Sequence, residues 1–136
     1  MKDCSIEIMA PVGCWESLTA AIEAGATSVY FGIEHLNMRS RSSANFTTQD
    51  LHTIVERCQA AGVKTYLTLN TVMYPEDLAL MREIVDHAKS AGLSAIIASD
   101  IAVLQYANEV GVEVHLSTQL NISNTEALKF YAQFAD

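Results

Sequence analysis

The sequence repeats one pattern four times: an amphipathic, helix-like stretch ends at a glycine, and a short apolar stretch follows at once. The four glycines are Gly25, Gly62, Gly92 and Gly111. A glycine just beyond the last helical residue readily takes the left-handed conformation that ends helices, and an apolar run close behind it indicates a strand after a short loop. The pattern therefore predicts a regular alternation of helices and strands.

Helix starts are marked as clearly as helix ends. Thr47-x-x-Asp50 and Ser123-x-x-Glu126 resemble capping boxes, and Pro75 opens another candidate first turn. We predict strands over 6–10, 28–31, 63–70, 94–98 and 113–118, and helices over 15–24, 47–61, 75–91, 100–110 and 123–135. Five βα units in strict alternation predict an α/β fold with a parallel sheet, within a single domain spanning 1–136.

Two architectures fit five such units: a flavodoxin-like open parallel sheet, and five consecutive units of a (β/α)8 TIM-type barrel. Strand chemistry favours the barrel. In the third strand Leu67 and Leu69 alternate with Lys64, Tyr66, Thr68 and Asn70. One polar and one apolar face suit a barrel lumen better than a sheet covered by helices on both sides. Because complete barrels usually exceed about 200 residues, the prediction is a truncated barrel whose open sheet edges favour self-association.

Composition excludes several classes of protein. Half of the 136 residues are hydrophobic, and 16 acidic against 8 basic residues give a net charge of −8. A disordered chain would be less apolar, and a nucleic-acid-binding module would normally be basic. The three cysteines form no Cys-x-x-Cys pair, which argues against a disulfide scaffold, a zinc site or an iron–sulfur site. We expect a cytoplasmic protein that neither enters a membrane nor binds nucleic acid directly.

Polar residues gather where the predicted strands end, which is the functional edge of parallel α/β folds. The candidates are Asn70, Asp100, Gln119 and Asn121. For Asp100 a helix N-cap is the favoured alternative. His115, within the fifth strand, has the chemistry of a general acid or base, although a hydrogen-bonded core histidine is the alternative.

The longest predicted loop follows the second strand and contains Arg39 and Arg41 among several serines. Two guanidinium groups in a chain with few positive charges suggest binding of a carboxylate or a phosphate. A solvated loop whose arginines cap nearby helices is the alternative. No dinucleotide-binding glycine motif, P-loop or nucleophile elbow is present, so the residues alone define no reaction and no catalytic nucleophile.

An ordered set of short motifs runs through essentially the whole chain. They are Glu7–Gly13, Ala24–Ala26 with Val29–Gly32, Leu36–Arg39 with Asn45–Thr47, Thr68–Thr71, Ala98–Asp100, and His115–Asn121 with Asn124. Together they closely resemble the opening part of the collagenase-like peptidases, peptidase family U32. The resemblance implies a (β/α)8-type domain assigned to proteolysis of collagen-like substrates by an unknown catalytic type.

Other members of the family resemble oxygen-independent hydroxylation factors for tRNA, rRNA or ubiquinone, which use an iron–sulfur cluster. Carried over by position, the resemblance implies binding or orienting roles for Arg39, Asn70, Asp100, Gln119 and Asn121. Family members continue into a cysteine-rich region without a counterpart here, and Cys4, Cys14 and Cys58 do not match the cluster ligands.

We therefore expect no cofactor in this chain, with an iron–sulfur cluster only in a full-length relative. The expected function is that of the N-terminal part of a peptidase that is incomplete for catalysis, with a peptide or small-molecule substrate in the full-length form. The alternatives are the same part of a hydroxylation factor, and a non-catalytic fragment that self-associates.

Overall fold

A computed structural model describes residues 6–33, 36 and 46–135. The strands are β1 Met9–Pro11, β2 Ser28–Phe31, β3 Lys64–Leu69, β4 Ala95–Ala98 and β5 Val114–Leu116. The helices are α1 Trp15–Glu23, α2 Asp50–Ala60, α3 Leu78–Ala91, α4 Ile101–Val110 and α5 Thr125–Tyr131. Short 3-10 helices cover Pro75–Asp77 and Thr118–Leu120. The predicted alternation of strands and helices is confirmed.

All five strands are parallel, and their order in the sheet is β1-β2-β3-β4-β5. A flavodoxin-like sheet would place β1 between β2 and β3, so that alternative is wrong. Consecutive strands that neighbour one another, each followed by a helix, are the arrangement of a (β/α)8 barrel segment. The fold is therefore the predicted run of five barrel units.

One face of the sheet packs against the helices and forms the hydrophobic core. Leu67, Leu69 and Ile96 on the strands are fully buried there, together with Ile54 of α2 and Ile84 of α3. Burial at about 25 cal/mol per Å² of apolar surface makes this layer the main source of stability. The opposite face of each strand is the lumen side.

Several boundaries differ from the predicted ones. Helix α2 begins at Asp50 rather than at residue 47, because residues 48 and 49 form a turn in which the Asp50 and Leu51 amides donate to carbonyls three residues back. The amide and hydroxyl of Thr47 both donate to Asp50 Oδ2, at 2.8 and 2.9 Å. The last helix begins after Asn124 rather than Ser123, because Asn124 Oδ1 accepts the Ala127 amide at 2.9 Å. The fifth strand ends at Leu116, and a 3-10 turn replaces the predicted last residues of that strand.

The glycines that end α3 and α4 adopt the expected left-handed conformation. Gly92 has φ +75° and Gly111 has φ +77°. A side chain would strain the backbone at either position. Each glycine lets the chain reverse tightly, so that β4 begins shortly after α3 and β5 shortly after α4.

Within the described residues, the outer strands β1 and β5 each pair with a neighbour on one side only. Ile6, Ile8 and Met9 beside the β1 edge are exposed, at 85%, 59% and 44%. Nowhere in the described part of the chain does a helix combine the length and hydrophobicity needed to cross a membrane.

Candidate functional site

The register of the sheet arranges the lumen-facing residues of β3, β4 and β5 in three rows. Thr68 pairs with Ile97, which pairs with His115, and we call these three the middle row. The upper row lies two residues further towards the C-terminus on each strand and consists of Asn70, Ser99 and Ser117. The residues two positions earlier form the lower row: Tyr66, Ala95 and Glu113. The upper row lies just beyond the carboxyl ends of the strands, where active sites of barrel enzymes lie.

The upper row is polar, and its members are tied to neighbouring elements. Ser99 Oγ donates to the Asn70 carbonyl oxygen at 3.1 Å, which joins the ends of β3 and β4. Ser117 donates its amide to the Ala98 carbonyl at 2.8 Å, and its hydroxyl accepts the Gln119 amide at 3.3 Å. Hydroxyl and amide groups of this kind recognise the donors and acceptors of a polar ligand.

Asp100 fixes the loops around the upper row. Its Oδ1 accepts the Ala102 amide at 2.9 Å and caps α4, which is one of the two roles predicted for Asp100. Its Oδ2 accepts the Met73 amide at 2.9 Å and so holds the segment between β3 and α3. One carboxylate therefore positions two of the loops that surround the strand ends.

Gln119 and Asn121 lie in and directly after the 3-10 helix Thr118–Leu120, and both are exposed. Asn121 has φ +50°, and its side-chain amide donates to the Gln119 carbonyl oxygen at 3.2 Å. Both residues therefore border the upper row beyond β5. Arg39 and Arg41, the predicted anion-binding pair, lie outside the described residues.

A polar network fills the lower part of the lumen. The Tyr66 hydroxyl donates to Glu7 Oε1 at 2.7 Å, and Lys64 Nζ lies 3.3 Å from Glu7 Oε2. Glu7 precedes β1, so these contacts connect it to β3 past the intervening strand β2. The hydrogen bond from Tyr66, with a smaller contribution from the Lys64 charge, lowers the pKa of Glu7. Burial first, and then the bond to Glu7, raises the pKa of Tyr66 to about 12.

His115 joins this network from the middle row. Its Nε2 lies 2.9 Å from Glu113 Oε1, and its ring centroid lies 5.0 Å from that of Tyr66. The side chain of His115 is 33% exposed on the lumen side. Of the predicted candidates, the structure places Asn70 and Asp100 at adjacent strand ends, joined through Ser99, whereas His115 lies one row lower on β5.

The sequence-based selection of site residues missed Glu7, Tyr66 and Glu113. Each of them occupies the polar side of the period-two alternation that predicted the lumen face. That alternation was the available signal, but it did not show that Glu7 reaches β3 or that Glu113 meets His115. The first contact depends on how the strands align, and the second depends on the side-chain orientation of two residues on one segment.

The described residues contain no group of three histidine, cysteine, aspartate or glutamate side chains arranged to hold a metal ion. Cys14 is half-buried and Cys58 is fully buried, and both are free thiols. Burial raises the pKa of Cys58, which keeps it protonated and unreactive. The expectation of no cofactor stays a prediction.

A separate cavity of about 710 Å³ lies on the outer side of the helices. It is lined by Thr47, Thr48, Gln49, His52, Glu83 and His87. It lies between α2 and α3, away from the strand ends. We assign the candidate site to the lumen because there side chains from successive strands converge, as they do in barrel enzymes.

Comparison with known proteins gives consistent matches along the chain. A sequence profile of peptidase family U32 matches residues 13–135. A collagenase of Porphyromonas gingivalis is 70% identical over 130 residues, which are 96% of this chain and 31% of that protein. An uncharacterized protease of Methanocaldococcus jannaschii is 41% identical over 96% of this chain and 32% of its own length. This chain therefore spans about a third of the length of these relatives.

More distant relatives carry a different name. The tRNA hydroxylation protein P1 of Bacillus subtilis is 32% identical over 93% of this chain and 30% of its own length. Among solved structures, the U32 peptidase Mk0906 superimposes with a TM-score of 0.75 at 12% identity, covering 99% of this chain and 58% of that one. This structural likeness supports the fold alone. The sequence matches show that the chain belongs to peptidase family U32.

Proposed function

We propose that this chain forms the N-terminal part of a peptidase that cleaves collagen-like polypeptides, and that its upper row contributes to substrate binding. The observation that carries the proposal is the 70% identity with a protein named collagenase over nearly the whole chain. At that level of identity the helix-facing core and the lumen-facing residues are both expected to be largely shared.

The polar strand ends suit a peptide ligand. An extended peptide presents one amide donor and one carbonyl acceptor per residue. Asn70 and Ser99 place a side-chain amide and a hydroxyl at the ends of two adjacent strands. The Ser99 proton goes to the Asn70 carbonyl, so the Ser99 oxygen can serve as an acceptor, and the buried Ser117 holds the turn after β5. Asp100 contributes by holding the surrounding loops through its bonds to Met73 and Ala102.

We further propose that these 136 residues are insufficient for hydrolysis by themselves. The relatives are about three times as long as the segment matched here. The sites that bind substrate and the groups that break the bond are then divided between this segment and the rest of a longer protein.

The test is hydrolysis of fluorescein-labelled gelatin by two preparations: this chain, and the longest natural protein that contains it. We expect the longer protein to release labelled peptides and the chain alone to release none. A double variant, Asn70→Ala with Ser99→Ala, should raise the KM of the longer protein for gelatin. Hydrolysis by the chain alone would contradict insufficiency. Absence of hydrolysis by the longer protein would contradict the peptidase function itself.

Hydroxylation of RNA is the second candidate, because several relatives near 30% identity are named for tRNA hydroxylation. The lower identity and the net charge of −8 make it the weaker candidate. Mass spectrometry of nucleosides from a strain that lacks the gene distinguishes the two. Loss of a hydroxylated nucleoside would favour hydroxylation, whereas an unchanged nucleoside profile is expected for a peptidase.

Two further properties remain proposals. The cysteine usage supports a cytoplasmic location, which localisation of a tagged protein tests. The one-sided pairing of β1 and β5 supports self-association of the isolated chain. Light scattering should then give a mass above that of one chain, and a compact monomer would contradict it.

A further inference from the structure

His115 and Glu113 stand two residues apart on the lumen side of the β5 segment. Their side chains meet with Nε2 and Oε1 2.9 Å apart. A carboxylate at that distance accepts the Nε2–H, and the lone pair of the neutral imidazole then lies on Nδ1. The Tyr66 ring packs against the imidazole at a centroid distance of 5.0 Å and restricts its rotation. These two contacts favour one orientation and one tautomer of the imidazole.

The position of this pair is one row beneath the candidate substrate-binding groups. His115 is aligned with Ile97 and Thr68, and the next lumen-facing positions are Ser117, Ser99 and Asn70. The His115 side chain is 33% exposed, so solvent or a ligand in the lumen reaches it. Other charged groups lie further along the same network: Glu7 bonds to Tyr66, and Lys64 pairs with Glu7.

We propose that His115 carries the proton in peptide hydrolysis at this site, and that Glu113 is its positioning residue. This inference rests on the proposed peptidase function. His115 Nδ1 takes a proton from a water molecule while the water oxygen bonds to the peptide carbonyl carbon. The imidazolium then gives that proton to the leaving nitrogen as the C–N bond breaks. One water is consumed, and the products are a carboxylic acid and an amine.

The structure offers a matched control. His87 and Glu83 also form a histidine–carboxylate pair, but on the outer surface of α3, where the nitrogen and oxygen are 3.8 Å apart and the side chains are 42% and 63% exposed. The control pair has the same chemistry without the short contact or the lumen position, and its ring contact, with His52, is longer, at 6.5 Å between centroids. We therefore expect it to show neither tautomer selection nor an effect on hydrolysis.

The first test measures the tautomer in the 15N-labelled chain by long-range 1H–15N correlation spectra of the histidine rings at mildly alkaline pH. We expect His115 to be predominantly the Nε2–H tautomer, and Glu113→Ala to produce a mixture. Glu83→Ala should leave the spectrum of His87 unchanged. A predominant Nδ1–H tautomer in the wild type, or no change in Glu113→Ala, would overturn the positioning role.

The second test uses gelatin hydrolysis by the longest natural protein that contains this chain. His115→Asn should lower kcat by roughly 100-fold or more, as expected for loss of a general base, while His87→Asn retains full activity. Glu113→Ala should lower kcat with little change in KM, and Glu113→Asp should recover part of the loss. If the wild type hydrolyses gelatin and His115→Asn does so equally well, the inference is wrong. If the wild type is inactive, both the peptidase proposal and the proton-carrier role of His115 fail. The tautomer test shows independently whether Glu113 positions His115.

Discussion

The helix-facing and lumen-facing sides of the sheet alternate along the same strands, yet their side chains differ in chemistry and, at some positions, in burial. On β4, Ile96 faces the helices and is fully buried, whereas Ile97 faces the lumen and is half-buried. On β3, Leu67 lies in the core, whereas Tyr66 donates its hydroxyl to Glu7 across the lumen. The helix-facing side therefore supplies most of the stability, whereas the lumen side provides most of the polar contacts between strands.

The largest expected effect separates the two faces directly. Ile96→Ala should lower the free energy of unfolding by about 2–5 kcal/mol, because it leaves a cavity in a fully packed core. Ile97→Ala, at the adjacent position on the opposite face, removes the same atoms and should cost less than half as much. Urea denaturation of both variants measures the difference. Equal losses would show that the lumen face is packed as tightly as the core.

The next effect concerns the loops at the strand ends. Asp100→Ala removes the acceptors of the Ala102 and Met73 amides and should cost about 1–2 kcal/mol, the usual range for a helix cap. Asn124→Ala, which removes a single capping bond from the short helix α5, should cost less. Urea midpoints and amide hydrogen exchange at Met73 give the measurement. A cost for Asp100→Ala no greater than that for Asn124→Ala would contradict the double role of Asp100.

The lumen network should be visible in alkaline titration. Tyr66 is expected to ionise at a pKa of about 12, well above the ordinary tyrosine value of 10. Because its folded-state pKa is raised, its contribution to stability is complete below pH 10 and is lost as the pH rises towards 12. Absorbance at the tyrosinate band should show a late-titrating component that disappears in Tyr66→Phe. If that component persists in the variant, another tyrosine carries it.

A smaller effect is expected from Glu7 because its side chain is 36% exposed. In the folded state the pKa of Glu7 lies below its ordinary value of 4.5. The ionised carboxylate therefore stabilises the fold above pH 4.5, and this contribution disappears as the pH falls through the lower, folded-state pKa. Glu7→Gln should cost less than about 1 kcal/mol at neutral pH, and its stability should fall less between pH 6 and pH 3 than that of the wild type.

Lys129→Ala provides the surface comparison for Glu7. It breaks an ion pair whose side chains are 73% and 80% exposed, and we expect no measurable change in the urea midpoint. A loss for Lys129→Ala as large as that for Glu7→Gln would show that the lumen position of Glu7 adds nothing.

Local signals in the sequence were sufficient to predict the alternation of elements. Gly92 and Gly111 end their helices as predicted, and Pro75 marks the turn before α3. The boundaries were less predictable because a cap depends on which side chain reaches which amide. Ser123 and Asn124 are adjacent and equally suitable by composition, and only the backbone geometry selects Asn124.

The candidate site was predicted in its location but not in its connections. Asn70 and Asp100 followed from their places at strand ends, and His115 followed from its acid–base chemistry within a strand. The partners Glu7, Tyr66 and Glu113 did not, since they come from strands separated by many residues or depend on the direction of a single side chain. Contacts between distant segments are set by the register of the sheet, which residue patterns do not encode locally.

The sequence by itself determined the parallel α/β architecture and the division of β3 and β5 into an apolar and a polar side, because period-two alternation and glycine helix ends are local properties. Only the tertiary structure decided between the open sheet and the barrel segment, through the consecutive strand order. It also decided which polar groups meet in the lumen. Glu7 reaches Tyr66, 59 residues further along the chain, because the fold brings the two segments together, and the Tyr66 ring meets His115 for the same reason.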